Sequence, residues 1–283
     1  LKGRPHRRLG CSRRAARRSD VTVPAAHDPA AVAASLADWW RLAGVSFDEA
    51  PVAIAARLPA AAAGPAVSVA RAAPGRPTAA DAAAQARAIA AAAGDLEALR
   101  AAVAAFDGCA LKATASQAVF SAGIPGAPVM LVGEAPGREE DEAGAPFVGR
   151  SGQLLDRMLA TIGVSRATNL YIANVIPWRP PGNRTPSPEE IAVCLPFIRR
   201  QIALARPKVL VFCGGVAAQA MLGTADGIMK LRGRWTDWRS EDLPAPVPAL
   251  AMLHPAYLLR RPQDKARAWA DLLSLEAKLT QLG

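Results

Sequence analysis

The sequence predicts an α/β fold built around a central sheet of four parallel strands. Two observations support this prediction: apolar runs of strand length recur from Val129 onward, and segments with helical periodicity alternate with them. Strands are expected at 129–132, 170–174, 208–212 and 248–253, and helices at 151–162, 188–205, 215–222 and 264–281. Strands that alternate with helices in this way are typical of a parallel sheet covered by helices.

Two segments between the strands carry clear local signals. The helix expected at 188–205 has a well-marked start, because Ser187 can cap it, Pro188 suits the first helical position and Glu190 completes a capping box. Further on, the sequence LRGRWTDW, which ends at Trp238, interrupts the alternation and reads as a basic loop or short hairpin.

The chain is expected to divide into a leading region, 1–95, and a domain, 96–283. The leading region reads as a basic arm, a short helix near 31–42 and an Ala/Pro-rich linker, and an Ala-rich helix at about 78–106 leads into the domain. Residues 1–20 hold eight Lys or Arg and one Asp, a net of +7 out of a formal +10. Such an arm can bind DNA phosphates, and a solvated tail or targeting segment is the alternative.

Composition excludes several classes of protein. No apolar run reaches the roughly 20 residues that span a bilayer, so we expect a soluble protein without membrane contact. The four cysteines lack the paired spacing of a secreted scaffold, which indicates a reducing, cytoplasmic location. His254 is the only histidine expected in the core, which excludes a mechanism or zinc site that needs two.

Chemically useful side chains follow three of the predicted strands. The stretch GEAPGREEDEAGAPFVGRSGQLL, which begins at Gly133, places an acidic cluster and Phe147 directly after the first strand. Asn174 closes the second strand and His254 follows the last. Ligands bind outside the carboxyl ends of parallel strands, so these groups are expected to share a site. Five carboxylates in nine residues would otherwise indicate a solvated acidic turn.

Together with the segments NVIPWRPPGNRTPSPEE and HPAYLLR, this stretch resembles the uracil-DNA glycosylase superfamily, and is most similar to its family 4 branch. The resemblance extends over roughly residues 106–283. It implies a three-layer α/β/α fold and a monofunctional enzyme that flips uracil out of DNA and hydrolyses its N-glycosidic bond. It also implies uracil-containing DNA as the partner, and we expect the protein to be a monomer.

The resemblance singles out Glu140, Glu134 and His254 as catalytic residues. Breaking a nucleoside C–N bond leaves positive charge on the sugar and negative charge on the base. Glu140 would position the water and stabilise the cationic sugar, while Glu134 would orient the pocket loop. His254 would donate a hydrogen bond to uracil O2 as the base leaves. We expect it to be a neutral imidazole, because the sugar cation disfavours a second positive charge.

Four further residues are expected to bind the base. The Asn174 amide complements the O4 and N3–H edge of uracil, whereas cytosine presents the opposite polarity. Phe147, held by Pro146, would stack on the flipped ring, and backbone N–H groups near Ala135 and Gly137 would contact the base. The structural alternatives are a strand-end turn residue for Asn174 and an ordinary core aromatic for Phe147.

DNA contacts are expected from the loops around these groups. Arg150 and Ser151 at a helix start can meet a phosphate together with the exposed N–H groups there. Tyr257-Leu258-Leu259 would form a wedge that enters the base stack after the nucleotide has flipped. The remaining candidates are basic residues of two loops: Arg184, Arg232 and Arg234.

The family 4 pattern carries four cysteines that hold a [4Fe–4S] cluster, and this sequence departs from it. Cys109 and Cys194 stand at two of the positions, but Phe106 and Trp178 occupy the other two. Thiolate ligation of such a cluster normally requires four cysteines. We therefore expect no cofactor or metal, with the two aromatic rings packed where the cluster would be.

Two other functions fit the sequence. One is a DNA-binding module with a weakly active or inactive base pocket, and the other is a glycosylase for a different deaminated base such as hypoxanthine. The presence of Glu140, Asn174 and His254 together favours turnover over binding alone.

Overall fold

The computed structural model describes residues 78–282, and its centre is a six-stranded sheet. The strands are β1 (Ala122–Gly123), β2 (Val129–Gly133), β3 (Leu170–Asn174), β4 (Val209–Cys213), β5 (Trp235–Trp238) and β6 (Val247–Met252). Their order across the sheet is β1-β3-β2-β4-β6-β5. The four central strands are parallel, as predicted, and β1 and β5 add antiparallel edges. The segment predicted as a basic loop or hairpin thus supplies the edge strand β5.

Helices cover both faces of the sheet. They are α1 (Ala79–Ala92), α2 (Leu96–Ala105), α3 (Arg138–Ala143), α4 (Arg150–Ala160), α5 (Pro188–Ala205), α6 (Gly215–Leu222), α7 (Ile228–Leu231), α8 (Pro255–Arg260) and α9 (Lys265–Leu282). Single 3₁₀ turns lie at Ala110–Ala113, Pro181–Asn183 and Pro262–Asp264. Within residues 78–282 no helix is long and apolar enough to cross a membrane.

The sheet separates two apolar layers, because successive side chains of a strand point to opposite faces. Met130 of β2 and its counterparts in the other strands pack with residues of α1, α2, α5 and α6. Leu131 and its counterparts pack on the other side with Leu155 of α4 and Leu272 of α9. This is the three-layer α/β/α arrangement that the resemblance implies.

The single helix predicted over 78–106 is two helices, because the helical conformation is interrupted around Gly94. Thr78 forms a capping box with Asp81 at the start of α1, and Asp95 caps α2 through the N–H of Ala98. Each helix therefore has its own start signal.

Helix α1, which the predicted domain boundary leaves in the leading region, packs in the domain core. Ala82, Ala86 and Ala90 are buried in the same apolar layer as α5. The boundary predicted between residues 95 and 96 consequently falls inside this helical layer. The predicted basic arm, the helix near 31–42 and the linker lie outside the described residues.

Candidate active site

A cleft of about 970 Å³ opens at the carboxyl ends of the parallel strands. The loops after β2, β3, β4 and β6 all contribute to its walls. Its lining includes Glu134, Ala135, Gly137, Glu140, Phe147, Arg150, Ser151, Asn174, Arg184, Gly214, His254, Tyr257, Leu259 and Arg260. The fold therefore brings the acidic stretch, the amide and the imidazole together.

The acidic stretch is not a solvated turn, because two of its carboxylates are buried and bonded. Asp141 accepts hydrogen bonds from the Ser116 N–H (2.9 Å) and hydroxyl (3.0 Å). Glu140 is also buried and faces the cleft. Only Glu142 has the exposed ion pair typical of a surface helix, with Arg138 at 2.8 Å.

The Glu140 carboxylate joins the start of α3 to the start of α4. Its Oε2 accepts from the Gly137 N–H, and its Oε1 accepts from the Val148 and Gly149 N–H groups, each at 3.1 Å. An ionised carboxylate offers about four acceptor sites, so at least one is left for a ligand in the cleft. Glu140 thus makes the loop-orienting contacts that sequence reasoning assigned to Glu134.

Glu134 follows β2 directly and lines the cleft. Burial raises the pKa of its carboxyl group above the usual range. Its side chain forms no hydrogen bond or ion pair with other residues in the range 78–282, so the carboxyl group is available to whatever enters the cleft.

The carboxyl end of β3 leaves a buried acceptor without a donor. Asn174 Oδ1 is the one buried side-chain nitrogen or oxygen atom within residues 78–282 that lacks a hydrogen-bond partner. Buried polar atoms are nearly always paired, so an unpaired one beside a cleft indicates a ligand donor. Gly133, the register partner of Asn174, makes the necessary space. A Cβ at Gly133 would collide with this oxygen and lie 2.7 Å from the Phe147 ring.

Phe147 and His254 form the aromatic part of the cleft. Their ring centroids lie 5.4 Å apart with an interplanar angle of 29°. Phe147 has a φ of 55°, in the left-handed region that costs a non-glycine residue about 1–2 kcal/mol. The surrounding structure must therefore hold this residue in place.

His254 is a neutral hydrogen-bond donor in this setting. Its Nδ1 accepts from the Ala256 N–H at 3.1 Å, so the proton of the neutral ring is on Nε2. Burial and the nearby Arg260 lower the pKa of the imidazole to about 4, against a smaller opposing effect of Glu140. The expectation of a neutral imidazole agrees with this environment.

Two residues that shape the surroundings of His254 were not among the predicted site residues. Arg260 lines the cleft and is the last residue of the HPAYLLR segment. Its place in that motif was the sequence signal that could have identified it. Gly214 has a φ of 101°, and a Cβ there would lie 3.2 Å from the His254 Cβ. Two successive glycines directly after β4 were the signal for this close approach.

The predicted backbone donors to the base are only partly available. Ala135 and Gly137 both line the cleft. The Gly137 N–H, however, donates to Glu140, so its predicted donation to the base is wrong. Gly137 instead allows close approach, because a Cβ there would lie 2.7 Å from Glu140 Oε2.

Five of the predicted DNA-contacting residues line the cleft: Arg150, Ser151, Arg184, Tyr257 and Leu259. Arg184 forms an ion pair with Glu190 at 2.6 Å, and the Tyr257 hydroxyl donates to Asp264 at 2.8 Å. Arg150 is exposed at the start of α4. These contacts orient the Arg184 and Tyr257 side chains before any DNA is bound.

The prediction that Leu258 inserts into DNA is wrong. Its side chain is 0% exposed and packs against Leu253 and Ala268. Leu259 is 40% exposed and lines the cleft. Within the predicted segment the exposed wedge is therefore Leu259 and not Leu258, because successive side chains of the helix α8 point in directions about 100° apart.

The two arginines of the LRGRW segment do not line the cleft. Arg232 donates to the Asp271 carboxylate and to the Arg267 carbonyl, both in α9. The prediction that Arg232 contacts DNA is therefore wrong. Its ion pair with Asp271 instead joins the segment before β5 to α9. Arg234 is exposed but lies outside the cleft lining.

The four positions that match the family 4 cluster ligands are all buried in the same apolar layer. The Cys109 and Cys194 sulfur atoms are 3.9 Å apart, and the Phe106 and Trp178 rings stack with centroids 6.4 Å apart. No group of three or more His, Cys, Asp or Glu side chains within residues 78–282 is arranged to hold a metal ion. A [4Fe–4S] cluster takes four thiolates, so the residues present do not fit it.

Known proteins are similar to this chain in sequence. The family described as Uracil DNA glycosylase superfamily matches residues 120–273. A type-4 uracil-DNA glycosylase of Archaeoglobus fulgidus is 42% identical over 167 residues, which cover 58% of this chain and 82% of that protein. Its namesake in Pyrobaculum aerophilum is 37% identical over 182 residues, 63% of this chain and 91% of that protein. The chain therefore belongs to the uracil-DNA glycosylase superfamily, in its family 4 branch.

Proposed function

We infer that this protein is a uracil-DNA glycosylase of base excision repair, which hydrolyses the N-glycosidic bond of uracil in DNA and leaves an abasic site. The relatives that carry this name support the inference. The single observation that carries it furthest is the unpaired, buried Oδ1 of Asn174, in the cleft that Phe147 and the neutral His254 imidazole also line. A module that only binds DNA, or a glycosylase for another base, is not favoured.

Uracil recognition is proposed to depend on Asn174 and Phe147. The Asn174 Oδ1 accepts the uracil N3–H, and its amide group donates to O4. Cytosine has an acceptor at N3 and a donor at its exocyclic amine, so both contacts would be lost. Phe147 supplies the flat apolar surface on which the flipped ring stacks.

Release of the base is proposed to depend on His254. Negative charge develops on uracil O2 only as the bond breaks, so a fixed donor there stabilises the transition state more than the substrate. The bond from the Ala256 N–H to Nδ1 orients the ring and leaves the Nε2–H to act as this donor.

The sugar side of the reaction is proposed to depend on Glu140 and Glu134. Glu140 is held by three backbone N–H groups at the cleft wall, and its free acceptor site can orient the attacking water. Its negative charge also stabilises the cationic sugar. Glu134, without a partner among the described residues, is a second carboxyl group that can contact the sugar or water.

The DNA strand is proposed to run along the rim of the cleft. Arg150 and Ser151, at the start of α4, can bind a phosphate with the exposed N–H groups of that 11-residue helix. Arg184 and Leu259 lie on the same cleft as further contacts. Action as a cytoplasmic monomer stays a prediction from the sequence.

We propose that the enzyme works without an iron–sulfur cluster. Stacked Phe106 and Trp178 tie the loops together by apolar burial, and Phe197 adds an edge contact to Phe106 at 5.1 Å. Anaerobically purified protein should be colourless and free of stoichiometric iron. A Cys109→Ser, Cys194→Ser double variant should retain uracil excision. Visible cluster absorbance that disappears with this variant would contradict the proposal.

The proposed activity is tested with oligonucleotides that contain one uracil, incubated with the full chain and then treated with alkali. Strand breaks are expected at uracil and not at thymine or cytosine in the matched sequence. Asn174→Asp should lower the rate about 100-fold or more, because its acceptor faces O4. A matched oligonucleotide that contains hypoxanthine tests the alternative substrate, and strand breaks at hypoxanthine but not at uracil would favour it. The absence of strand breaks with the wild-type protein would refute the inference.

A further inference from the structure

We propose that Arg166 is a positioning residue for Phe147 and holds it in the conformation that excision requires. The inference rests on the proposed function, in which uracil stacks on Phe147. Arg166 does not line the cleft, and its side chain is only 24% exposed. Its effect on the site therefore passes through the loop that carries Phe147.

The Arg166 guanidinium binds this loop at two successive carbonyl groups. Nη1 donates to the Pro146 carbonyl at 3.1 Å, and Nη2 donates to the Phe147 carbonyl at 2.9 Å. These carbonyls belong to the two peptide planes on either side of the Phe147 Cα. A planar fork that fixes both planes also fixes φ and ψ of the residue between them.

Phe147 needs such a constraint because its backbone conformation is rare for a bulky residue. Its φ of 55° lies in the left-handed region, which side chains with a Cβ seldom adopt. Without the two donors, the loop can relax to a more common conformation. The ring would then leave its position 5.4 Å from His254, and the stacking surface of the cleft would be lost.

Gly152 of α4 also packs against this loop. A Cβ at Gly152 would collide with the carbonyl group of Phe147, so the helix backbone packs directly against this peptide. The Phe147 carbonyl is thus contacted both by the Gly152 backbone and by the Arg166 guanidinium. Sterics and hydrogen bonds reinforce the same position.

Asp156, also on α4, keeps the guanidinium in register with the loop. Its Oδ1 accepts from Arg166 Nε at 2.9 Å and lies 2.8 Å from Nη2, so Nη1 and the second N–H of Nη2 remain for the two carbonyls. The Asp156 side chain is 45% exposed, and exposed ion pairs contribute little to stability. Its role here is to orient Arg166.

The same loop also presents donors to Glu140. Val148 and Gly149 follow Phe147, and their N–H groups bind Glu140 Oε1. A shift of the Phe147 peptide would move both donors. Arg166 therefore supports the stacking surface and one catalytic carboxylate together.

A double-mutant cycle on single-turnover uracil excision tests the proposal. Arg166→Ala should lower the rate about tenfold or more in the wild-type background, but less than about twofold when Phe147 is already alanine. Equal losses in the two backgrounds would overturn the proposal, because Arg166 would then act independently of the ring. So would a loss confined to DNA affinity that shrinks as the salt concentration is raised, which would indicate a phosphate contact.

Conservative variants separate geometry from charge. Arg166→Lys keeps the charge but lacks the forked donors, so it should lose rate like Arg166→Ala; full activity would contradict the proposal. If Arg166→Ala does not fold, Arg166→Lys takes its place in the cycle. Asp156→Asn should slow excision less than Arg166→Ala does, because the two donors to the carbonyls remain. Arg157→Ala removes an exposed charge next to Asp156 in α4, and this control variant should behave as wild type.

Amide hydrogen exchange measures the stability of the loop conformation independently of catalysis. Arg166→Ala should speed exchange at Val148 and Gly149 while the central strands stay protected. Unchanged exchange at these two amides would defeat the positioning role, whatever the activity. A wild-type protein that excises no uracil, but shows this local change, would defeat the proposed function alone.

Discussion

Phe147 lies against His254 with ring centroids 5.4 Å apart, although 107 positions separate the two residues in the chain. The ring edge also lies beside Gly133, whose register partner is Asn174. The loops after three parallel strands thus meet at one edge of the sheet, and sheet pairing sets the distances between an aromatic face, an amide and an imidazole. Each can be perturbed separately.

The pH dependence of His254 follows from its pKa of about 4, compared with an ordinary value of 6.5. Between these values the unfolded chain binds a proton at this site and the native protein does not. The free energy of unfolding should therefore fall as pH drops from 6.5 to 4, by up to about 3 kcal/mol. Urea denaturation of wild type and His254→Gln measures this contribution as the difference between their pH profiles.

Excision should be almost insensitive to His254 ionisation between pH 5 and pH 8, because the imidazole remains largely neutral there. His254→Gln should lower the single-turnover rate by about 100-fold or more, as expected for loss of an aligned donor. NMR titration of the signal missing in His254→Gln gives the pKa directly. An inflection near 6.5 in that signal contradicts the assigned environment.

Gly133→Ala should block the base pocket. The new methyl group would collide with Asn174 Oδ1 and lie 2.7 Å from the Phe147 ring. We expect uracil excision to fall about 100-fold or more, since misplacement of about 1 Å near a reacting group already has this effect. Oligonucleotide cleavage and DNA affinity are measured together, and affinity for undamaged DNA should change little.

Gly94→Ala is the matched control for this substitution. A Cβ at Gly94 meets nothing within 4 Å, and the residue lies between α1 and α2. Its rate and stability should stay close to wild type. Full activity of Gly133→Ala would mean that the base does not enter beside Asn174.

Glu140→Gln and Glu134→Gln should separate stability from catalysis. The Glu140 carboxylate accepts three backbone hydrogen bonds through its two oxygens. Glutamine replaces one of these oxygens with an NH₂ group, which cannot accept the bonds made at that position. Glu140→Gln should lower the free energy of unfolding by about 1–3 kcal/mol and slow excision. Glu134→Gln should slow excision without loss of stability, because it removes a carboxylate whose burial is unfavourable. Thermal unfolding and single-turnover rates of both variants decide the assignment, and equal destabilisation would contradict it.

The fold could be predicted from sequence because its signals are local. Apolar runs of strand length and the capping box at Ser187 marked β2 and α5 to within a residue or two. The edge strand β1 escaped prediction because it has two residues, and the half-exposed β5 was expected only as a basic loop or short hairpin. The break between α1 and α2 was missed because alanine dominates both sides of it, although Gly94 and Asp95 were available as signals.

The site was predictable by type of residue but not by contact. A motif identifies Glu140 as functional, but only the fold shows its bonds to Val148 and Gly149. The arginine-rich segment indicated DNA binding, whereas Asp271, 39 positions further along the chain, engages Arg232. Nothing in the local sequence of Arg166 points to the Phe147 carbonyl. Long-range pairing of this kind depends on how helices pack, and composition does not encode it.

Leu258→Ala and Leu259→Ala should have opposite consequences. Leu258 is fully buried against Leu253 and Ala268, so its truncation leaves a cavity and should cost about 2–5 kcal/mol of unfolding free energy. Leu259 is 40% exposed on the cleft, so its truncation should leave stability within about 0.5 kcal/mol of wild type.

The effect of Leu259→Ala should appear in excision from duplex DNA and depend on base pairing. A side chain that fills the space left by a flipped nucleotide offsets the cost of unstacking, which is a few kcal/mol in a duplex and smaller in a single strand. Uracil excision should therefore slow several-fold more in a duplex than in the matched single strand. Equal slowing of the two substrates would mean that Leu259 contacts the DNA without acting as a wedge.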